Sequence, residues 1–319
     1  MAGKKTPDYM MSASRLPALL GLSKYQTPND ELQFSINAAK GVPREDKQNE
    51  AMAWGDRLES MILRETAKRL ELFELSTEFD SAFFHDTLPL ACSLDGYAHG
   101  RGQKIRTDTD AGIIVVGQDE IMLDGFGVLE AKLTAVAPEE IPALYRGPVQ
   151  LQAQMDIMQA KWGALAVLYQ GTTLRIFLFE PHQQTLYTIK TAVLEFQKKL
   201  DKYKATGEID FYPPANPKDA DRMYPAADEN VVVNLPGRAE QLVDQIVTAN
   251  ADIKAAEGRR SEAETELKAM MGQAAKASIG RFEIRWPMRS YKATPEKVVP
   301  AKEAYSIRQS TLSIKEVAA

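Results

Sequence analysis

Between Phe211 and Pro236 the sequence breaks step. A run of Phe-Tyr-Pro-Pro-Ala-Asn-Pro-Lys-Asp-Ala-Asp opens at Phe211, and Pro225 and Pro236 follow. Proline lacks a backbone N–H and fixes φ, so prolines this dense exclude a continuous helix or an interior strand. The stretch reads as an exposed linker over 213–236. It divides the chain in two. Across 1–212 strand and helix signals alternate as in an α/β domain. Across 237–319 a long helical pattern gives way to a short β segment.

Composition narrows the class. With 44% hydrophobic and 26% charged residues the chain lies in the range of a soluble protein, which excludes collagen-like and wholly disordered readings. The lone Cys92 excludes an internal disulfide. No apolar run approaches the roughly 20 residues that span a bilayer. The opening Met-Ala-Gly-Lys-Lys-Thr-Pro-Asp lacks an apolar signal segment, so the expectation is a cytoplasmic protein without a membrane partner. Net charge is -5, from 39 basic and 44 acidic residues, which excludes a bulk-basic nucleic-acid coat but not local basic patches.

Within 1–212, Ser12-Ala-Ser-Arg15 and the leucines that follow predict a capped helix. From Asn49 to Leu70, Trp54, Leu58, Met61, Ile62 and Leu70 recur at helical spacing. Strands are predicted at 89–98, 113–116, 128–133, 164–169, 174–179 and 186–189. A turn is expected over Leu123-Asp-Gly-Phe-Gly127. Helices are expected at 150–159 and 191–204.

The segment Val128-Leu-Glu-Ala-Lys-Leu133 carries the chemistry. Alternate residues of a strand share a face, so Glu130 and Lys132 point together while Leu129, Ala131 and Leu133 point away. Burying such a pair is costly unless something compensates it. A hard divalent cation shared with a second carboxylate, Asp95 in Ser-Leu-Asp-Gly, would do so, and Lys132 would then position a water or stabilise developing charge. An isolated E-x-K is most often a solvent-facing strand pair, and Asp-Gly a turn. The order of Glu59 on an upstream helix, Asp95 at a strand end, Glu130-x-Lys132 and then Gln150 on a following helix shifts that balance. His85, His99 and His182 lack metal-ligand spacing, and Cys92 in its apolar strand reads as core.

That order resembles the PD-(D/E)XK nuclease superfamily, and the surrounding phrases resemble its YqaJ/phage-lambda-exonuclease branch. They are Ser12-Ala-Ser14, Ala53-Trp-Gly-Asp-Arg-Leu-Glu59, Ala91-Cys-Ser-Leu-Asp-Gly96, Leu129-Glu-Ala-Lys132 and Val149-Gln-Leu-Gln-Ala-Gln-Met155. The resemblance implies a restriction-endonuclease-like α/β core, a mixed central sheet flanked by helices. It assigns Asp95, Glu130 and the Ala131 carbonyl as ligands of Mg²⁺ or Mn²⁺, two ions per site. Lys132 becomes the catalytic lysine, Glu59 a helical carboxylate acting through water, and Gln150 the supporting glutamine, with Gln152 and Gln154 fitting less well. Ser12 and Ser14, with Arg15 or Arg146 standing in for arginines that lambda-type enzymes carry elsewhere, would bind a DNA 5′-phosphate. Residues 99–125 read as an inserted hairpin.

The implied activity is 5′-to-3′ resection of linear double-stranded DNA, leaving 3′ single strands for phage-type recombination in a bacterial host. Implied partners are a single-strand annealing protein and two further copies in a homotrimeric ring. The alternatives are a RecB/Cas4-like nuclease of other polarity, an endonuclease, or a non-catalytic DNA-binding recombination accessory protein. In the C-terminal part, Leu242, Ile246, Ile253, Leu267 and Met270 trace an apolar stripe. Phe282, Ile284 and Trp286 alternate with charges as a one-sided strand, whose partner is expected around Tyr305 to Ile314 and which would offer a docking patch if exposed. This appendage is thus read as a long helix and a β-hairpin.

Overall fold

The computed structural model describes residues 6–42, 49–228 and 230–288. The chain divides into two compact units, Met1–Met223 and Tyr224–Ala319.

In the first unit, β1 (Met11–Ser12) leads through a single 3-10 turn into α1 (Leu16–Leu19). There follow α2 (Pro28–Ala39), α3 (Glu50–Arg69), β2 (Phe73–Ser76), β3 (Phe83–Phe84), β4 (Leu90–Cys92), β5 (Gly96–Arg106), β6 (Ile113–Val115) and β7 (Glu120–Thr134). The unit continues with α4 (Pro148–Met158), β8 (Trp162–Tyr169), β9 (Thr173–Phe179), α5 (Gln183–Thr206) and α6 (Pro217–Met223). It is the mixed α/β architecture that the resemblance implies. Six strands in the order β2-β5-β7-β8-β9-β6 form the central sheet, with β7–β8 and β6–β9 parallel and the other pairs antiparallel. Strands β1, β4 and β3 make a smaller sheet.

Alternation along β7 sorts the core into two layers. Val128 packs with Leu165, Val167, Met155 of α4 and Phe196 of α5, while Leu129 and Ala131 pack with Ile62 and Leu63 of α3, Trp162 and Ala164. The strand that carries Glu130 and Lys132 is therefore central and covered by helices on both faces.

Several expectations are corrected. Residues 123–127 are not a turn: β7 runs through them unbroken. Gly127 is there for a close approach, since a Cβ at that position would lie 2.2 Å from the buried Trp162 ring. Gly127→Ala is accordingly expected to cost about 1–3 kcal/mol or more through overpacking, measured as a fall in the thermal midpoint. The segment 186–189 is helical within α5, because Ile189, Val193, Phe196 and Leu200 return to one face every three or four residues and are buried there. Of the expected stripe on α3, Trp54 and Met61 are 47% and 59% exposed, and the buried face is Ile62, Leu63, Thr66 and Ala67.

Residues 99–125 do not form a simple inserted hairpin. β5 and β7 pair antiparallel from Gly96↔Leu129 to Arg106↔Glu120, but between them β6 leaves to pair with β9 at the opposite edge of the sheet. Residues 217–223, inside the segment read as linker, form α6. Its Asp219 is buried and accepts hydrogen bonds from Thr27 Oγ1 (2.8 Å) and Asn29 Nδ2 (3.3 Å) at the start of α2.

In the second unit, α7 (Arg238–Met271) precedes a hairpin of β10 (Lys276–Ile279) and β11 (Phe282–Arg285). The partner of the Phe282 strand is thus Lys276–Ile279, the nearest segment a tight turn can reach. The residues from Tyr305 to Ile314 lie outside the described ones. No described helix is long and apolar enough to cross a membrane.

Candidate active site

Sheet register builds the site. Gly96 pairs with Leu129, so Asp95, one residue before β5, is brought level with Glu130 on β7. The backbone N–H of Ala131 donates to Asp95 Oδ2 at 2.9 Å and locks that relation. Lys132, two residues along the same strand face, donates its ammonium to Glu130 Oε1. Glu130 is fully buried. Its other oxygen, Oε2, accepts from Gln154 Nε2 on α4 at 2.7 Å, and the same amide reaches the Ser93 carbonyl at 3.2 Å, tying α4 to the segment that delivers Asp95. From the opposite side α3 contributes Glu59. A cavity of about 400 Å³ is lined by Asp95, Ala131, Lys132, Glu59, Asp56 and Met52, among others.

Electrostatics show what this cluster lacks. Burial, then the neighbouring Glu130 charge, pushes the Asp95 carboxyl well above the usual range, with Glu59 adding to the rise and Lys132 and the Ala131 N–H opposing it. Burial alone would lower Lys132, but the charges of Glu130 and Asp95 and the hydrogen bond to Glu130 outweigh it and hold the ammonium protonated. Three carboxylates thus converge on one lysine. Hard oxygen donors short of positive charge are the donor set that a divalent Mg²⁺ or Mn²⁺ ion prefers. Asp95, Glu130, Glu59 and the Ala131 carbonyl are oxygen donors of this kind, and among the described residues no three His, Cys, Asp or Glu side chains are already gathered into a metal cage.

The glutamine that touches this cluster is Gln154, not Gln150. The two lie one helical turn apart, but only Gln154 is level with Glu130 and buried there, and Gln150 makes none of these bonds. Gln152 turns away, donating to the Glu180 carbonyl and accepting from the His182 N–H, and so fixes the start of α5. Asp56, one turn before Glu59, also lines the cavity and was not singled out in the sequence, although the spacing i, i+3 on a helix already places the two carboxylates on one side.

The four residues expected at a 5′-phosphate fare differently. Arg15 is buried and spends all five N–H groups inside the protein: Nε on Glu31 Oε2 (2.5 Å), Nη1 on the Asp8 and Met10 carbonyls, Nη2 on the Glu31 carbonyl and Ser35 Oγ. It has no donor left for a phosphate. Arg146 binds Glu139 through Nε (2.9 Å) and Thr134 Oγ1 through Nη1 (2.9 Å). Glu139 is further held by the Tyr169 hydroxyl (3.1 Å), so this arginine braces the loop that follows β7. Ser12 is buried on β1 with its Oγ 3.2 Å from that of the exposed Ser14.

Cys92 is core, as its apolar strand implied: it is buried on β4, and burial followed by the Glu130 charge pushes its thiol up to about 12. Since the thiolate is the reactive form, iodoacetamide at pH 8 should leave the folded protein unlabelled and modify one site per chain only after denaturation, as read by intact mass.

A family model described as YqaJ-like viral recombinase domain matches residues 5–161. None of the curated proteins matches the chain. Among solved structures, an alkaline exonuclease from Laribacter hongkongensis is 16% identical, with a TM-score of 0.45 over 63% of this chain and 95% of that one. The same exonuclease in complex with dAMP gives 16% identity and a TM-score of 0.44 over 61% and 89%.

Proposed function

From a chain whose residues 5–161 form a YqaJ-like viral recombinase domain, we propose a metal-dependent exodeoxyribonuclease that resects linear double-stranded DNA 5′-to-3′ and leaves 3′ single strands for recombination. The observation that carries this reading is the meeting of Asp95, Glu59 and Lys132 around one open cavity, with the buried Glu130 bonded to Lys132 behind its wall. A bound Mg²⁺ or Mn²⁺ pair would supply Lewis acidity toward the scissile phosphate and lower the pKa of a water. Asp95 and Glu130 would bind and orient the ions; the Ala131 N–H keeps Asp95 from swinging away, and Gln154 holds the Glu130 carboxylate in place. Lys132 presents a positive charge where negative charge develops on the phosphate. Glu59, entering from α3, lines the same cavity, where it would accept a hydrogen bond from the attacking water.

The same reading includes the wider system that the resemblance implies: a closed trimer of the first unit, a single-strand annealing protein that receives the product, and a bacterial cytoplasm in which a phage-derived enzyme acts. Phe282 and Trp286, 59% and 46% exposed on the β10–β11 hairpin, are the patch proposed for the annealing protein.

Digestion of matched linear duplexes with and without a 5′-phosphate, beside a covalently closed circle, tests the reading. In Mg²⁺ the linear duplexes should shorten from their 5′ ends and the circle should persist, while chelation stops the reaction. Cutting of the closed circle, or undiminished cutting in chelator, would be incompatible with it.

A further inference from the structure

α7 is a 34-residue helix in which no residue is buried. Leu242, Ile246, Ile253 and Leu267 are 48%, 39%, 56% and 40% exposed, a stripe along a rod about 50 Å long. The stripe repeats every seven residues. From Ala239 to Met270 its positions succeed one another by alternating steps of three and four without a break, and only Arg260 is not apolar. Sustained over about four heptads, that is the seam of a coiled coil rather than the broader face of a helix lying on a globular core.

Side-chain size and charge along the seam select the partner. One set of seam positions holds Ile246, Ile253, Arg260 and Leu267; the other holds Ala249, Ala256 and Ala263 between Leu242 and Met270. In a parallel pair like meets like: alanine faces alanine, and Arg260 faces its own copy in the core. In an antiparallel pair centred between Ile253 and Ala256, the large residues of the middle meet small ones, and Leu242 meets Leu267 at either end. Ile253 faces Ala256, Ile246 faces Ala263, and Arg260 crosses over Ala249 with its head free to reach water. Flanking charges agree. In the antiparallel register Asp252 meets Arg259 of the second copy twice by symmetry, whereas a parallel register sets Asp252 against Glu257.

We propose that α7 pairs antiparallel with α7 of a second copy of this chain, with Ile253 opposite Ala256. The contact is made by the second unit alone, so it stands or falls independently of the nuclease reading, and it would join rings built by the first unit rather than replace them.

Single-cysteine variants of the full chain test it, the native Cys92 being buried. Ile246→Cys and Ala263→Cys chains, oxidised separately, should give no cross-link, because each position lies far from its own copy. Mixed before oxidation, they should give a disulfide-linked dimer on a denaturing gel. Separately, Ile253→Asp should lower the solution mass at micromolar concentration while leaving helix content unchanged. Same-position cross-links in either variant alone, no cross-link in the mixture, or an unchanged mass for Ile253→Asp would each overturn the proposal; docking of α7 on its own first unit would give the second of these.

Discussion

Asp95→Ala, Glu130→Ala and Lys132→Ala should each reduce cleavage of linear duplex by on the order of 10³-fold or more, while binding of the duplex, measured by anisotropy in Ca²⁺, changes little. The three fail for different reasons. Without Asp95 or Glu130 the proposed set of metal-holding oxygens is incomplete. Without Lys132 that set persists but the compensating charge is gone, so metal affinity should survive in that variant alone. Glu130→Gln separates chemistry from packing, because it keeps the shape of a fully buried side chain while removing its charge. Gln154→Ala should fall between wild type and these variants, a loss of about 10–100-fold, because Gln154 only holds Glu130 in place. Near-normal digestion by Glu130→Gln would remove the assignment.

Glu31→Ala is expected to have the largest effect on stability. Its carboxylate is buried and meets a guanidinium whose side chain is 9% exposed. Removing it strands the Arg15 charge, which costs about 3–5 kcal/mol, or about 6–20 °C in the thermal midpoint of a unit this size. Replacing both partners, as Arg15→Met with Glu31→Leu, should recover most of that loss, because neither charge is then left alone in the core. An unchanged melting temperature in Glu31→Ala, combined with a lost preference for 5′-phosphorylated ends in Arg15→Lys, would return Arg15 to the substrate.

These two outcomes mark where sequence reasoning reaches and where it stops. Glu130 and Lys132 were legible because two charges on one face of an apolar strand are an energetic anomaly that local periodicity exposes. The placement of Asp95 beside them was accessible through motif order. Gln154 was not, because Gln150, Gln152 and Gln154 are chemically identical and only the depth at which α4 docks on β7 chooses among them. Arg15 misled for a related reason. An arginine beside serines offers the same chemistry to a phosphate as to a buried carboxylate, and Glu31, on a different helix, gives no local sign of the pairing. The glycines of 123–127 read as a turn because glycine also serves inside strands: Gly127 leaves Trp162 the space above the backbone, and Gly125 takes a φ of 65° within β7.

The excursion of β6 carries one more consequence. Residues 96 to 134 cross the sheet from β5 to the far edge and return to its centre, and β6 finds its neighbour only when β9, ending at Phe179, is in place. Strand β7 likewise has β8 as its parallel neighbour, which follows it in the chain. During synthesis the carboxylates of the site are made early, yet the sheet that aligns them cannot close until the polypeptide has passed Phe179. Such long-range closure is slow to form. It also means that a prematurely terminated chain ending before β9 carries Asp95, Glu130 and Lys132 without a framework to aim them.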